Sequence, residues 1–311
     1  MRFMLEYPLL CDIDDGAWLR PENMVRFAQA AEAAGVSGIA LTDHPAPSRK
    51  WLDHGGHETF DPFAGLCFLA AATRSMRLMT FLTVVPYRNP LLLAKSMTTV
   101  DVLSGGRATF ALGTGYLRSE FAALGVDFAE RNELFDEAVE VLRGVWSTDE
   151  FHYEGRHFKA LGVGLKPNVI QRPHPPLWVG GNARVVRERV AAWAQGWAPL
   201  LGSPELTATS RTRAISSDEE LGALIAEIKQ GMAERGRDPE SLDVLARSTR
   251  GPAPDAGADE VLDSIAALEK IGVTWTSVPV PRGPFEAAVE AVTRFGEETI
   301  SRCPNGDRPL S

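Results

Sequence analysis

Eight apolar runs of strand length alternate with eight stretches of helical periodicity along the 311 residues of the chain. The runs lie at 2–9, 37–42, 77–86, 108–113, 177–179, 196–200, 242–248 and 273–280. They are continuous rather than alternating in polarity, the pattern of parallel strands covered on both faces. The helical stretches lie at 21–34, 62–75, 90–103, 130–146, 183–194, 218–234, 258–270 and 284–297. Eight strands alternating with eight helices is the count of a (β/α)8 TIM barrel, an α/β fold. An open doubly wound sheet shares the alternation and is its rival.

Proline and glycine punctuate the pattern. The first helix opens at Pro21 and closes at Gly35, and Pro90 opens another. AAGVSGIAL at 33–41, AQGWAPL at 194–200 and EKIGVTWTSV at 269–278 each set a glycine behind a helix, which predicts a left-handed cap. Two long loops, after strands 2 and 4, interrupt the alternation: 46–61, rich in Gly, His and Pro, and 148–176. Within the second, FHYEGRHF at 151–158 predicts a hairpin turning at Glu154-Gly155. The expected organisation is one barrel domain over 1–302, with these insertions, and a frayed tail at 303–311.

Composition narrows the function. There are 41 acidic and 32 basic residues, a net charge of −9. That balance, with no basic run, argues against nucleic acid and against an anionic membrane surface. The most apolar region, 63–85, is broken by Arg74 and Arg77 and does not read as a membrane span. Cys11, Cys67 and Cys303 are odd in number and far apart, as for reduced thiols of a cytoplasmic protein. Glu6 interrupts the N-terminal apolar stretch, so no signal peptide is expected. GxSxG, HExxH and GxxxxGK[ST] patterns are absent from the sequence.

Three strand ends carry chemistry. Gly113-Thr114-Gly115-Tyr116 follows strand four and begins like GxGxxG, but Arg118 stands where the third glycine would be. Gly180-Gly181-Asn182 precedes a helix, with Asn182 the expected N-cap. Glycine backbone and a helix N-terminus suit a phosphate; the plainer alternative is two turns made for geometry. Asp43-His44 ends strand two, where a histidine can shuttle a proton or simply pack beneath the next loop. His54 and His57 lie in a glycine loop that fixes no common face, so no metal site is expected.

Together these segments resemble the luciferase-like monooxygenase superfamily, closest to its F420-dependent oxidoreductase branch. TDHPAPSRKWLDHGGHETFDPF at 42–63, VVPYRNPLLLAKSMTTVDVLSGGR at 84–107, GTGYLRSEFAALGVDFAERNELFDEAVEVLRGVW at 113–146 and HPPLWVGGN at 174–182 carry the resemblance. It implies a flavin-like tricycle in the barrel mouth, with its phosphate between Gly113–Tyr116 and Gly180–Asn182. It also implies a strand-three bulge with a non-prolyl cis peptide near Phe81-Leu82, next to Thr83, against the cofactor's back face. The position of His44, beside Asp43, would contact the reacting part of the cofactor. Arg49, Lys50 and Arg118 are candidate partners for the anionic tail of F420. Sugar-phosphate dehydrogenases of the class carry Glu where this chain has Tyr116, so the resemblance does not extend to that role.

The expected function is an F420-dependent oxidoreductase passing hydride to or from an activated C=C, imine or carbonyl of a small molecule. His44 or Tyr116 would handle the proton, and the resemblance implies a homodimer. The alternatives are an FMN-dependent monooxygenase with a partner reductase and a non-catalytic flavin-binding protein.

Overall fold

The computed structural model describes residues 1–9, 16–201, 212–249, 256–281 and 283–303. In chain order the strands and α-helices are β1 (Arg2–Glu6), α1 (Pro21–Ala33), β2 (Gly38–Leu41), α2 (Arg49–Leu52), α3 (Pro62–Ala72), β3 (Arg77–Val84), α4 (Pro90–Ser104), β4 (Ala108–Gly113), α5 (Arg118–Ala123) and α6 (Arg131–Ser147). They continue with β5 (Phe151–Glu154), β6 (Lys159–Val163), β7 (Leu177–Gly180), α7 (Arg184–Ala192), β8 (Gly196–Ala198), α8 (Asp218–Glu234), β9 (Asp243–Val244), α9 (Ala258–Lys270), β10 (Trp275–Ser277) and α10 (Phe285–Glu298). Eight of the strands form the parallel sheet of a (β/α)8 barrel, and β5 and β6 pair with each other. The eight long helices expected from the sequence are all present; α2 and α5 are short additions. Cys11 and part of the C-terminal tail lie outside the described residues.

The chain divides into two compact units. The first comprises Met1–Ala40 and Pro176–Ser311. Within it β1 pairs in parallel with β2 and β10, β8 pairs with β7 and β9, and a bridge joins Leu245 to Trp275. Phe3, Trp178, Trp197 and Trp275 are fully buried along these strands. α10 packs on β1 through Phe295, whose ring meets Phe3 edge-to-face at 5.8 Å, and its Phe285 meets Trp18, just before α1, at 5.0 Å. Gly35 and Gly272 adopt φ of +84° and +97°, the left-handed cap read from the sequence. Gly196 does not take that conformation. It opens β8, and a Cβ there would lie 2.4 Å from the Trp178 ring, so its glycine makes room for an indole.

The second unit is Leu41–Pro175. β3 and β4 pair in parallel with a register shift between Thr80 and Thr83. Asp61 and Asn89 cap α3 and α4 by accepting from Ala64 and Leu91 backbone N–H groups, each cap followed by proline. The hairpin is longer than expected: Gly155 N–H bonds to the Phe158 carbonyl and β6 begins only at Lys159. Glu137 of α6 explains this, since its carboxylate accepts from the N–H groups of both His157 and Phe158 and organises the turn. Buried Asp101 on α4 holds the following connector through Ile170 and Gln171 N–H groups.

Candidate active site

The end of β2 is pinned before it reaches any ligand. Asp43 is 2% exposed, and its carboxylate takes both arms of the Arg88 guanidinium, at 2.6 and 2.8 Å, plus the Val84 N–H at 3.0 Å. A buried bidentate pair is a strong positional constraint. It ties residue 43 to the chain just after Thr83, and so brings the β2 and β3 ends together.

His44, the next residue, is held from behind by Glu120. His44 Nδ1 lies 3.0 Å from Glu120 Oε2, and the same oxygen accepts from the Tyr87 hydroxyl at 3.0 Å. The other oxygen accepts from the Ala46 N–H at 3.1 Å. Glu120 is fully buried on α5, whose helix starts immediately after the Gly113–Tyr116 turn. A carboxylate meeting three donors presents only acceptors, so His44 Nδ1 carries its hydrogen and Nε2 is the nitrogen left for chemistry.

A ring cluster surrounds His44. Trp51 lies 4.6 Å away by ring centroids, His57 5.3 Å and Tyr116 5.9 Å, the last two edge-to-face. Burial, with the Glu120 charge adding to it, pushes the Tyr116 hydroxyl up to about 12, against a hydrogen bond from Trp51. The same causes hold the Tyr87 hydroxyl far above the ordinary tyrosine range, burial first and Glu120 next. Both phenols are therefore neutral donors at physiological pH.

β3 carries the expected local feature. The Phe81-Leu82 peptide is cis and non-prolyl, inside the register shift between Thr80 and Thr83. Thr83 is buried, and its Oγ1 has no partner among the described residues. Gly113 faces this bulge: a Cβ there would lie 2.4 Å from Leu82 Cδ1. Gly115 has φ +77° and carries the chain past Thr114 to Tyr116. So Gly113 serves a side-chain approach, whereas Gly115 serves a left-handed turn and a close approach as well, since a Cβ there would lie 2.6 Å from Val84 Cγ1.

Gly180, Gly181 and Asn182 belong to the other unit and differ from expectation. Ala183 is the N-cap of α7, with no side-chain cap bond. Asn182 is instead 1% exposed and acts as a clasp: Nδ2 donates to the Leu200 and Arg213 carbonyls, and Oδ1 accepts from Leu200 N–H. Its tertiary partners outcompete the helix terminus. The N–H groups of Gly181 and Asn182 are also taken, by the Ala198 carbonyl and Thr212 Oγ1.

Among the candidate tail cations, Arg49 pairs with Asp53 and Arg118 stacks over Phe128 at 4.1 Å. No group of His, Cys, Asp and Glu among the described residues is arranged to hold a metal. Sequence reasoning missed Glu120, Tyr87 and Trp51. The available signal was an acid on the short helix directly behind a glycine turn, four residues after Tyr116.

A tricyclic cofactor fits the second unit's part of this expectation. The orphaned Thr83 hydroxyl, the Phe81-Leu82 bulge and the free edge of His44 offer a polar contact, an apolar backing and a proton group. The Gly181-Asn182 backbone fits a phosphate less well, because its N–H groups are already bonded.

Comparison with known proteins places the chain in a family. Over residues 9–270 the chain matches the luciferase-like monooxygenase family. It is 28% identical over 312 residues to the F420-dependent hydroxymycolic acid dehydrogenase of Mycobacterium tuberculosis, covering 93% of this chain and 81% of that one. It is 33% identical over 174 residues to the FMNH2-dependent dimethylsulfone monooxygenase of Pseudomonas putida, covering 54% of this chain and 46% of that one. The solved structure of monooxygenase RslO1 from Streptomyces bottropensis superposes with a TM-score of 0.80 at 22% identity, covering 97% of this chain and 99% of that one. Its relatives are thus oxidoreductases and monooxygenases, named for F420 in one case and for reduced FMN in another. With most of its length matching that family, the chain belongs to the luciferase-like monooxygenases.

Proposed function

We propose that the chain is an F420-dependent oxidoreductase that moves hydride between the deazaflavin and an activated C=C, imine or carbonyl of a small organic substrate. The observation that carries this reading is His44, held through Nδ1 by a buried carboxylate with Nε2 left over. When bound, the deazaflavin supplies the hydride at its C5, and the organic chemistry is the cofactor's own. The chain supplies position and a proton. Phe81-Leu82 and Thr83 would back the ring system, and Gly113, Thr114, Gly115 and Tyr116 would border its phosphate side. His44 Nε2 gives or takes the proton that balances the hydride, and Glu120 holds the charge that results. Tyr116, neutral, is the second donor.

A second reading, an FMN-dependent monooxygenase, is favoured by the 33% identity to an FMNH2-dependent relative. Fluorescence titration of the purified protein with F420 and with FMN decides between them. Saturable F420 binding is expected, and tight FMN binding without F420 binding overturns the first reading. With F420 bound, His44→Ala is expected to lower turnover by roughly 10²–10⁴-fold while the F420 affinity changes little. Unchanged turnover removes His44 from the chemistry.

A further inference from the structure

We propose that His57 extends the site into a two-histidine proton path, in which His57 exchanges protons between solvent and the inner imidazole of His44. The inference rests on the hydride-transfer reading above and names how its proton is replenished.

His44 alone is poorly placed to re-equilibrate with water. Its side chain is 10% exposed, and its Nδ1 is committed to Glu120. His57 is the next imidazole outward. The two rings meet edge-to-face at 5.3 Å, a separation that one water or one substrate oxygen closes between ring nitrogens. His57 is only half-buried. Its Nδ1 approaches the Glu58 carbonyl at 3.2 Å, and a carbonyl only accepts. Nδ1 therefore carries the hydrogen, and Nε2 presents a lone pair.

The loop is folded to hold this arrangement. Trp51 touches both imidazoles, at 4.6 Å from His44 and 5.3 Å from His57. Gly56 N–H returns to the Trp51 carbonyl at 2.9 Å, and a Cβ on Gly56 would fall 2.4 Å from the indole. The loop after β2 is thus wound tightly around the tryptophan that spaces the two histidines.

The groups that bear on His57 come from three sides: its own strand-loop segment through the Glu58 carbonyl, His44 from the end of β2, and Glu120 from α5. Burial is the largest influence and lowers its proton affinity; His44 lowers it further, while the Glu58 bond and Glu120 oppose. His57 is consequently a neutral acceptor at pH 7, facing a histidine backed by a carboxylate.

The test is NMR of 15N-histidine-labelled protein, reading proton exchange with water at His44 Nε2. His57→Phe keeps a ring against Trp51 and removes both nitrogens. Exchange at His44 is expected to slow by roughly tenfold or more in this variant, and added imidazole is expected to restore it. His57→Gln, which keeps a polar terminus, should retain part of the rate. If His57 merely packs the loop, exchange stays the same or quickens in both variants, and the path is overturned. F420 titration of the same samples keeps the two readings separate. Loss of F420 binding by the wild-type protein sinks the cofactor assignment, whereas His44 exchange alone decides the path.

Discussion

Glu120 gathers the side chains of the site around one buried carboxylate. Its three donors come from a strand end, a loop backbone and a turn after β3, so no short stretch of sequence announces it. His44 stands out in the sequence because it closes an apolar run at a strand end, with proton transfer and plain packing both open to it. Glu120 does not, because a single acid on a short helix ordinarily faces water. Glu120→Gln keeps the volume but turns one acceptor into a donor that meets His44, Tyr87 or Ala46. Leaving a buried donor without an acceptor costs about 1–3 kcal/mol. Urea denaturation of the variant should show a loss in that range; a change under about 0.5 kcal/mol would mean the network is only loosely coupled to the fold.

Strands and helices were legible in number and order because their periodicity is a property of many residues at once. What failed were single residues whose role is set by tertiary partners. Asn182 has the right local chemistry for an N-cap, yet Leu200 and Arg213 offer its amide more bonds than the helix end does. The Gly113 turn, read as backbone made for an anion, also carries a packing contact that the sequence does not announce: Leu82 leans across it. That contact makes a prediction about the β3–β4 pair. Gly113→Ala forces a methyl against Leu82, and overpacking of this kind costs about 1–3 kcal/mol. Thermal unfolding should register the loss, and most of it should vanish when the same change is made in a Leu82→Ala background. Equal losses in both backgrounds would show that the clash lies elsewhere.

Across the whole molecule, all four tyrosines share one electrostatic property. Burial, first in each case, raises the hydroxyls of Tyr7, Tyr87, Tyr116 and Tyr153 above the ordinary value of 10.0, the last two to about 12. An unfolded chain ionises its tyrosines near 10, whereas the native protein resists. Their contribution to stability is therefore complete below pH 10 and is lost as pH rises toward the native values. Tyrosinate absorbance should rise together with loss of circular dichroism, and a tyrosinate step near pH 10 in folded protein would contradict this. The net charge of −9 is the ground on which the sequence argues against nucleic acid. It adds that an anionic cofactor gains nothing from long-range attraction and relies on local groups. The Glu120 carboxylate has a further consequence, in inheritance. It joins partners 74 and 76 residues away in the chain. A recombinant that takes its first loop from one parent and its α5 from another inherits a histidine and a carboxylate that never evolved against each other. Exchange of segments among these barrels is expected to succeed when 43–61 and 113–121 travel together.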